Sequence, residues 1–432
     1  DRNGYKIAGT KELTEPAKDG NNIYLTIDAS IQLFVEQAIS KALDKYDADW
    51  MTIMVANAKT GAILASSTYP TFDPNLRDMT NYLDYNISYA YEPGSTMKIF
   101  SYMATMENGE YNGSEKYTSG VYKTKDGTEI GDWLRSGWGK ITYDQGFALS
   151  SNVGVINLIN KHLNGNLLMD YYKKLGFGSK TNIELANEVS GKLAFKYETE
   201  VFNAGFGQGI TTTPIQNIKA LTSISNNGTL LQPYIIDKIV DQNTGKVIYK
   251  GEKKELEKVA STETVSKIKD LMESVINGNS RTSTGYYYYM DGYDIIAKTG
   301  TAQVARESGK GYYDNQVIRG FAGMFPKDNP EVIMYVAAKN PSSTKLMSEV
   351  VKEIVKNTSN YLGIYNGKKE ENKNLTNYTL DSYINNNVDT VKDTLTKNKI
   401  NVVVIGNGNR ITIQYPKAGA TASEIDKVFL VT

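Results

Sequence analysis

The 432-residue sequence contains no cysteine and only one histidine, His162. The first absence excludes disulfides, thiol catalysis and thiolate metal sites. The second excludes a zinc site built on paired histidines and leaves one candidate base for a Ser-His-Asp triad. His162 follows an apolar run and precedes Asn164-Gly165, a position typical of a helix C-terminus. If the protein is a serine enzyme, its base is therefore expected to be another residue type.

Net charge and long apolar runs are also absent. The 48 Lys and Arg residues balance 48 Asp and Glu residues, so no basic excess indicates a nucleic-acid partner. The sequence has no run of 18 apolar residues, and no membrane-spanning segment is predicted within it. It also lacks an initial Met and a signal-like segment, so we expect any signal or membrane anchor to lie outside it.

The order of the predicted elements indicates an α+β domain. An apolar hairpin lies within 51–66, and three further strands are predicted at 293–303, 317–325 and 332–339. Helical patterns fill the middle, and an amphipathic helix follows at 346–362. Strands on both sides of a helical middle suggest one sheet whose strands come from distant parts of the sequence.

A smaller unit is predicted at the C-terminal end. The run 367–373, rich in Lys, Glu and Asn, is typical of a linker. Beyond it, apolar spacing from Val388 predicts a helix, and three apolar segments predict strands at 402–405, 411–415 and 428–431.

The stretch YEPGSTMK at 91–98 has the features of a catalytic turn. Pro93 and Gly94 break the chain ahead of a helix that is apolar on nearly every face. Ser95 would lie in the first turn of this helix, and Lys98 one turn along the same face. A hydroxyl and an amine at the positive end of a helix resemble a nucleophile and its base.

The pattern Ser-x-x-Lys alone is weak, because it occurs three times in the chain. Its neighbours separate the copies: only Ser95/Lys98 is followed by a serine on a turn between helices, at Ser150/Asn152, and by Lys-Thr-Gly within a strand, at Lys298. The other copies of these patterns lie in turns or on a solvated helix, or lack the later partners; they are Ser266/Lys269, Ser342/Lys345, Ser225/Asn227 and 59–61. The triple is the motif set of penicillin-binding proteins and serine β-lactamases.

Flanking residues narrow the resemblance to the class B, monofunctional penicillin-binding proteins. The segments that carry it are YEPGSTMK at 91–98, SSNVG at 150–154, FGQG at 206–209 and KTGTAQ at 298–303. The C-terminal unit resembles a PASTA domain, with YPKAG at 415–419 matching its turn.

This resemblance implies a penicillin-binding transpeptidase or serine β-lactamase-like fold, in which helices flank an antiparallel sheet and an all-helical subdomain is added. A PASTA-like module, with a helix on a three-stranded sheet, would follow. The implied boundaries are a remnant of an N-terminal pedestal domain at 1–21, a transpeptidase domain at 22–365, a linker at 366–376 and the module at 377–432.

The resemblance also implies acyl transfer through Ser95 with Lys98 as base. An unperturbed lysine has a pKa of about 10.4, so Lys98 must be shifted to about 7–8 to accept a proton at neutral pH. Burial, the helix dipole and the second cation, Lys298, would all lower the pKa of Lys98.

The remaining site residues follow from the same resemblance. Ser150 would relay protons between the two lysines, and Asn152 would hold Lys98 and a substrate amide. The backbone N–H groups of Ser95 and Thr301 would form the oxyanion hole. Lys298 with the hydroxyls of Thr299 and Thr301 would bind a carboxylate. Further candidates on the binding strand and in the cleft are Gly300, Gln303 and Trp133; for Trp133, core packing is an equal alternative.

The expected substrate is the D-alanyl-D-alanine end of a peptidoglycan stem peptide, with β-lactams as mimics. No cofactor and no metal are expected. A partner glycosyltransferase within a cell-wall synthesis complex is expected, as is a location on the extracellular face of the cytoplasmic membrane. The PASTA-like unit favours septal or spore cell-wall synthesis. Two alternatives remain open: a serine β-lactamase-like hydrolase and a non-catalytic penicillin sensor. The run 286–289, four tyrosines, predicts a surface or partly packed loop.

Overall fold

The computed structural model describes most of the chain: residues 20–73, 75–76, 79, 81–306, 311–365, 368–369, 378–422 and 427–432. The predicted remnant at 1–21 and the predicted linker at 366–376 lie outside the described residues, apart from 20–21 and 368–369.

The first half of the chain alternates strands with helices and includes a 3₁₀ turn at Gly94–Met97. In chain order its elements are β1 (Asn22–Leu25), α1 (Ala29–Leu43), β2 (Trp50–Asn57), β3 (Ile63–Tyr69), α2 (Lys98–Glu107), β4 (Lys116–Thr118), β5 (Val121–Lys123), β6 (Glu129–Gly131), β7 (Lys140–Thr142), α3 (Tyr143–Ala148), α4 (Asn152–His162), α5 (Gly165–Lys174), α6 (Glu198–Gly205) and α7 (Pro214–Ser225).

The second half completes the large domain and adds the C-terminal unit. Its elements are β8 (Thr229–Leu231), β9 (Ile236–Val240), β10 (Val247–Lys250), β11 (Glu255–Lys258), α8 (Thr262–Ile276), β12 (Ile296–Ala305), β13 (Tyr312–Phe325), β14 (Val332–Lys339), α9 (Thr344–Leu362), β15 (Ile364–Tyr365), β16 (Lys368–Lys369), β17 (Tyr378–Thr379), α10 (Val388–Lys397), β18 (Asn401–Ile405), β19 (Ile413–Tyr415), β20 (Thr421–Ala422) and β21 (Lys427–Val431).

A five-stranded sheet in the order β12-β13-β14-β2-β3 forms the centre of the large domain, and every neighbouring pair is antiparallel. Side chains alternate between its faces because the strand repeat is two residues. Met51, Ile53 and Val55 pack with α1 and α9, whereas Met54 and Ala56 belong to the core shared with the helices from the middle of the chain. The sheet therefore joins strands from both ends of the domain, as the sequence predicts.

The predicted strands are correct in kind and shifted at their ends. The strand predicted at 293–303 begins at Ile296, because the backbone N–H of Tyr293 instead closes a turn on the Met290 carbonyl at 3.1 Å. The strand predicted from Val317 begins at Tyr312, where pairing with Ala305 extends the β12–β13 hairpin.

The predicted all-helical subdomain also contains strands. Two short antiparallel pairs, β4 with β7 and β5 with β6, occupy the polar, glycine-punctuated segment between α2 and α3. The predicted turn between helices at Ser150 is confirmed, because the chain turns sharply there between α3 and α4. His162 is the last residue of α4, as predicted.

The C-terminal unit has its own core. Helix α10 packs on a three-stranded sheet of order β18-β21-β19, in which β18 pairs parallel and β19 antiparallel to β21. Leu395 from the helix is fully buried with Val428 and Leu430 from the central strand. The helix and three strands match the prediction, and a short β17–β20 pair is added. Within the predicted linker, β16 pairs with β15.

Among the described helices, none is both long enough and apolar enough to cross a membrane.

Candidate active site

Ser95 lies in the 3₁₀ turn that leads into α2, so the helix begins later than the sequence suggests. The Ser95 side chain is half-buried and lines a cleft, while Lys98, the first residue of α2, is completely buried. Because Ser95 is partly exposed and lines the cleft, its hydroxyl is accessible to a ligand there.

Two glycines allow the Ser95 turn to be clamped between neighbouring elements. Gly94 has φ +59°, and a Cβ there would lie 2.8 Å from the Thr301 carbonyl oxygen on β12. A Cβ on Gly207 would lie 2.1 Å from the Gly94 oxygen, and the Gly94 N–H donates to the Gly207 oxygen at 3.0 Å. The glycine-rich loop after α6 therefore packs against the turn, consistent with a structural rather than a nucleotide-binding role.

Lys98 binds the turn between α3 and α4. Its Nζ atom donates to the Ser150 carbonyl at 2.5 Å, to the Asn152 Oδ1 atom at 2.7 Å and to the Ser150 Oγ atom at 3.3 Å. Asn152 is held in turn, because its Nδ2 atom donates to the Gly131 carbonyl at 3.0 Å. The structure thus brings together three residues that the sequence placed in two separate motifs.

Burial lowers the pKa of Lys98 to about 7, and the charge of Asp132 opposes this shift. A cation that has left water is destabilised relative to its neutral form. The Lys98 amine is therefore substantially neutral near pH 7, in the range that the sequence analysis required. Burial is the main cause.

Lys298, on β12, reaches the same serine from the other side. Its Nζ atom donates to Ser150 Oγ at 2.9 Å and to the Thr299 carbonyl at 3.1 Å. Burial, followed by the charge of Lys98, holds the pKa of Lys298 well below its usual range. Two ammonium groups sharing one oxygen repel each other, so they lose protons as a coupled pair.

Ser150 adopts a left-handed backbone conformation with φ 58°. It follows the last turn of α3, where its N–H donates to the Phe147 carbonyl at 3.1 Å. Glycine usually occupies such a position, and another residue there costs on the order of 1 kcal/mol. The cost is consistent with a need for the hydroxyl, since this turn aims Oγ at both lysines.

Asp132 is a site residue that the sequence analysis missed. Its buried carboxylate accepts from the Ser151 hydroxyl at 2.9 Å, from the Val153 N–H at 3.0 Å and from the Gly120 N–H at 2.8 Å. It therefore fixes the start of α4 immediately beside Ser150. The sequence feature that could have indicated Asp132 is its position next to Trp133. The local pattern, however, does not distinguish Asp132 from an acidic residue on the surface.

The cleft has a volume of about 600 Å³ and two aromatic walls. Trp133 lines one side with 64% of its surface exposed, and its Nε1 atom donates to the Leu149 carbonyl at 3.0 Å. The equal alternative, core packing of Trp133, is thereby excluded. Tyr286 to Tyr288 also line the cleft. Tyr288 is buried while Tyr287 and Tyr289 are exposed, so the tyrosine run is partly packed, as predicted.

The remaining predicted residues lie along β12. Thr299, Gly300, Thr301 and Gln303 all line the cleft, and the Thr299 hydroxyl lies 2.8 Å from the hydroxyl of Thr284. Thr301 and Gln303 have exposed side chains.

Ser95 and Thr301, whose backbone N–H groups are the two predicted oxyanion donors, both line the cleft. A Cβ on Gly300 would lie 3.0 Å from the Pro93 carbonyl oxygen, so there is little room for a side chain between the turn and the strand.

No group of three or more His, Cys, Asp or Glu side chains in the described ranges is arranged to hold a metal ion. The polar side chains in the described lining of the cleft are hydroxyls, amides, the guanidinium of Arg319 and the carboxylate of Asp132, whereas the amines of Lys98 and Lys298 are buried.

Fold and site together define a serine acyl-transfer domain of the class that combines Ser-x-x-Lys, Ser-x-Asn and Lys-Thr-Gly. The chain belongs to the penicillin-binding protein family: the penicillin-binding protein transpeptidase domain matches residues 51–360, and a PASTA domain matches residues 378–432.

Relatives match over most of the chain. Stage V sporulation protein D of Bacillus subtilis is 34% identical over 447 residues, covering 99% of this chain and 68% of that protein. The crystal structure of penicillin-binding protein 2X from Streptococcus thermophilus superposes with a TM-score of 0.73 at 28% identity, covering 100% of this chain and 66% of that one. The structure of penicillin-binding protein 3 of Mycobacterium tuberculosis, complexed with aztreonam, superposes with a TM-score of 0.76 at 25% identity and covers 83% of both chains. The chain spans about two thirds of the length of the first two proteins.

Proposed function

We propose that this chain is a peptidoglycan D,D-transpeptidase that forms an acyl-enzyme on Ser95 and is acylated there by β-lactams. The observation that carries the proposal is the half-buried Ser95 in the lining of the cleft, followed one turn later by a buried Lys98 whose pKa is lowered to about 7. Family membership supports it, as do the names of relatives such as the probable peptidoglycan D,D-transpeptidase PenA of Neisseria flavescens.

In the proposed reaction, Ser95 Oγ attacks the carbonyl of the penultimate D-alanine and its proton passes to the neutral Lys98 amine. The N–H groups of Ser95 and Thr301 would stabilise the oxyanion, since they are fixed in place before charge develops. The carbon–nitrogen bond then breaks, and the proton reaches the leaving amine through the Ser150 hydroxyl, which contacts both lysines. An acceptor amine would attack the acyl-enzyme and release Ser95.

A β-lactam would follow the first half of this path. Its ring carbon–nitrogen bond breaks, but the leaving nitrogen stays tethered, so it blocks the second half. A structural neighbour that matches over 83% of this chain is complexed with aztreonam, which supports β-lactam binding here. We propose that the β-lactam traps Ser95 of this chain covalently.

The decisive experiment is labelling with a fluorescent penicillin. Ser95→Ala should abolish covalent labelling, whereas Ser266→Ala should not, although Ser266 has the same Ser-x-x-Lys spacing on the exposed side of α8. Labelling that survives Ser95→Ala in folded protein would refute the assignment.

Persistence of the adduct distinguishes the alternatives. A transpeptidase retains the acyl group for minutes to hours, a β-lactamase-like hydrolase releases it quickly, and a penicillin sensor would be acylated without cross-linking lipid-linked precursor. We propose that cross-linking occurs together with a partner glycosyltransferase outside the cytoplasm. Labelling of intact cells by an impermeant β-lactam would test the location.

We further propose a role in spore or septal wall synthesis. Stage V sporulation protein D matches over 99% of the chain, including the PASTA unit, whereas penicillin-binding protein PbpB of Mycolicibacterium smegmatis matches over 78%. A chimera joining the N-terminal part of the Bacillus subtilis protein to this chain should restore sporulation to a strain lacking that protein. Failure of an expressed, penicillin-labelled chimera would argue against the spore role.

A further inference from the structure

Lys298 is poorly placed to supply positive charge to a ligand. Its side chain is completely buried, its amine donates to Ser150 and to the Thr299 carbonyl, and it is absent from the lining of the cleft. Burial and the nearby Lys98 also favour its neutral form. The resemblance pairs Lys298 with the carboxylate of the substrate. Because Lys298 is poorly placed for this, the carboxylate needs another cationic partner.

Arg319 is the cation that does line the cleft. It lies on β13 directly opposite Thr301 of β12, so the two side chains project from the same face of the sheet. Opposed Cβ atoms in such pairs are about 4.5–5.5 Å apart, a separation that a guanidinium can span easily. Phe321, the next residue of β13 on this face, packs against Tyr288 with ring centroids 4.8 Å apart and supports the apolar floor beside Arg319.

Among the described residues, no carboxylate forms an ion pair with the guanidinium of Arg319, and its Nε atom is buried without a hydrogen-bond partner. Asp132 is the acid in the described lining of the cleft, and its oxygens are already occupied by Ser151, Val153 and Gly120. A buried N–H of a permanent cation without an acceptor is costly, and a ligand carboxylate would supply the missing acceptor.

We propose that Arg319, rather than Lys298, is the cationic residue that binds the terminal carboxylate of the acyl donor, with the hydroxyls of Thr301 and Thr299 beside it. This inference rests on the proposed function, because it names the partner of a group that the proposed substrate carries. Lys298 is then left to act on Ser150 alone. The two tasks are then performed by different residues. Arg319, which is permanently charged, binds the carboxylate, and Lys298, which can lose its proton, takes part in proton transfer through Ser150.

The test compares two acyl donors that differ in one group. Both are N-acyl-D-alanyl thioesters; the thiol leaving group ends in a carboxylate in one and in a carboxamide in the other. The second-order rate of Ser95 acylation is measured for the unaltered chain, for Arg319→Gln and for Arg281→Gln. Arg281 is exposed next to Ser280 and Ser283 of the cleft but does not line it, which makes it a matched control.

We expect Arg319→Gln to slow acylation by the carboxylate donor roughly 10- to 100-fold, the range for loss of a hydrogen bond to a charged group. The carboxamide donor should change less than about twofold, since it offers no charge to pair. Arg281→Gln should leave both rates unchanged. Rates are referred to the folded fraction, measured by circular dichroism, so that loss of fold does not mimic loss of binding.

An equal change for both donors, or no change for either, would overturn the assignment of Arg319. The proposed function has a separate readout: if the unaltered chain is acylated by neither donor and takes no penicillin label on Ser95, the function itself fails.

Discussion

The ammonium groups of Lys98 and Lys298 meet at one atom, the hydroxyl oxygen of Ser150, at 3.3 and 2.9 Å. The two lysines come from α2 and β12, and both are completely buried. A hydroxyl can both accept and donate, so it can pass a proton from one amine towards a leaving group. Protonating both neighbouring amines in the protein interior costs free energy, because the two charges repel and neither is solvated by water. One amine therefore stays neutral and is available as a base at neutral pH.

The first prediction concerns the pH dependence of acylation. Because burial lowers the pKa of Lys98 to about 7 and the neutral amine is the reactive form, the rate of penicillin acylation should rise with pH, with a midpoint near 7. Stopped-flow measurement from pH 5 to 10 would show this limb. A midpoint above about 9 would contradict the role of Lys98 as base.

The second prediction concerns Asp132. Its charge raises the pKa of Lys98 against the effect of burial, so Asp132→Asn should move the midpoint of the acylation profile to lower pH. The variant should also lose about 1–3 kcal/mol of stability, because an amide cannot accept from all three donors that the carboxylate satisfies. Measurement of the profile and of urea unfolding would separate the two effects. An unshifted midpoint in folded protein would show that the charge is unimportant.

The third prediction concerns stability and pH. Below about pH 7, Lys98 is protonated in both the folded and the unfolded chain; between about 7 and 10.5 only the unfolded chain binds the proton. The free energy of unfolding contributed by this group should therefore rise with pH through that window. Lys98→Met should remove a rise of up to about 4 kcal/mol, at 1.36 kcal/mol per pH unit. Denaturant titrations of both proteins at pH 7, 8.5 and 10 would reveal it, and parallel curves would exclude it.

The fourth prediction concerns the clamp on the Ser95 turn. In Gly207→Ala the new Cβ would lie 2.1 Å from the Gly94 oxygen, so backbone must move and both stability and penicillin labelling should fall. Gly209→Ala is the control: it has a similar φ of +73° but no atom within 4 Å of its Cβ. It should cost only about 1 kcal/mol of backbone strain and retain labelling. Equal behaviour of the two variants would show that the clamp does not matter.

The proposed nucleophile, its proposed base and the order of the three motifs come from the sequence, because each is a local pattern. Ser95 follows a helix-breaking Pro93-Gly94 pair, and Lys98 lies three residues further on. The absence of cysteine and the single His162 made lysine the expected base before any contact was known. The predicted starts of β12 and β13 were wrong because they were read from apolar spacing. The actual starts depend on backbone hydrogen bonds, in the turn at Tyr293 and in the hairpin at Tyr312.

The tertiary structure alone decided which polar groups meet. Lys298 reaches Ser150 across 148 residues and Lys98 reaches it across 52, distances over which no periodic pattern carries information. Asp132 and Arg319 resemble ordinary surface charges in sequence, and their roles arise from burial and from register across a sheet. Local residue patterns determine which helices and strands form, because backbone preferences act over a few residues. The pKa of Lys98 and the burial of the Arg319 Nε atom, which has no hydrogen-bond partner among the described residues, depend on desolvation, which is set only when distant segments pack together.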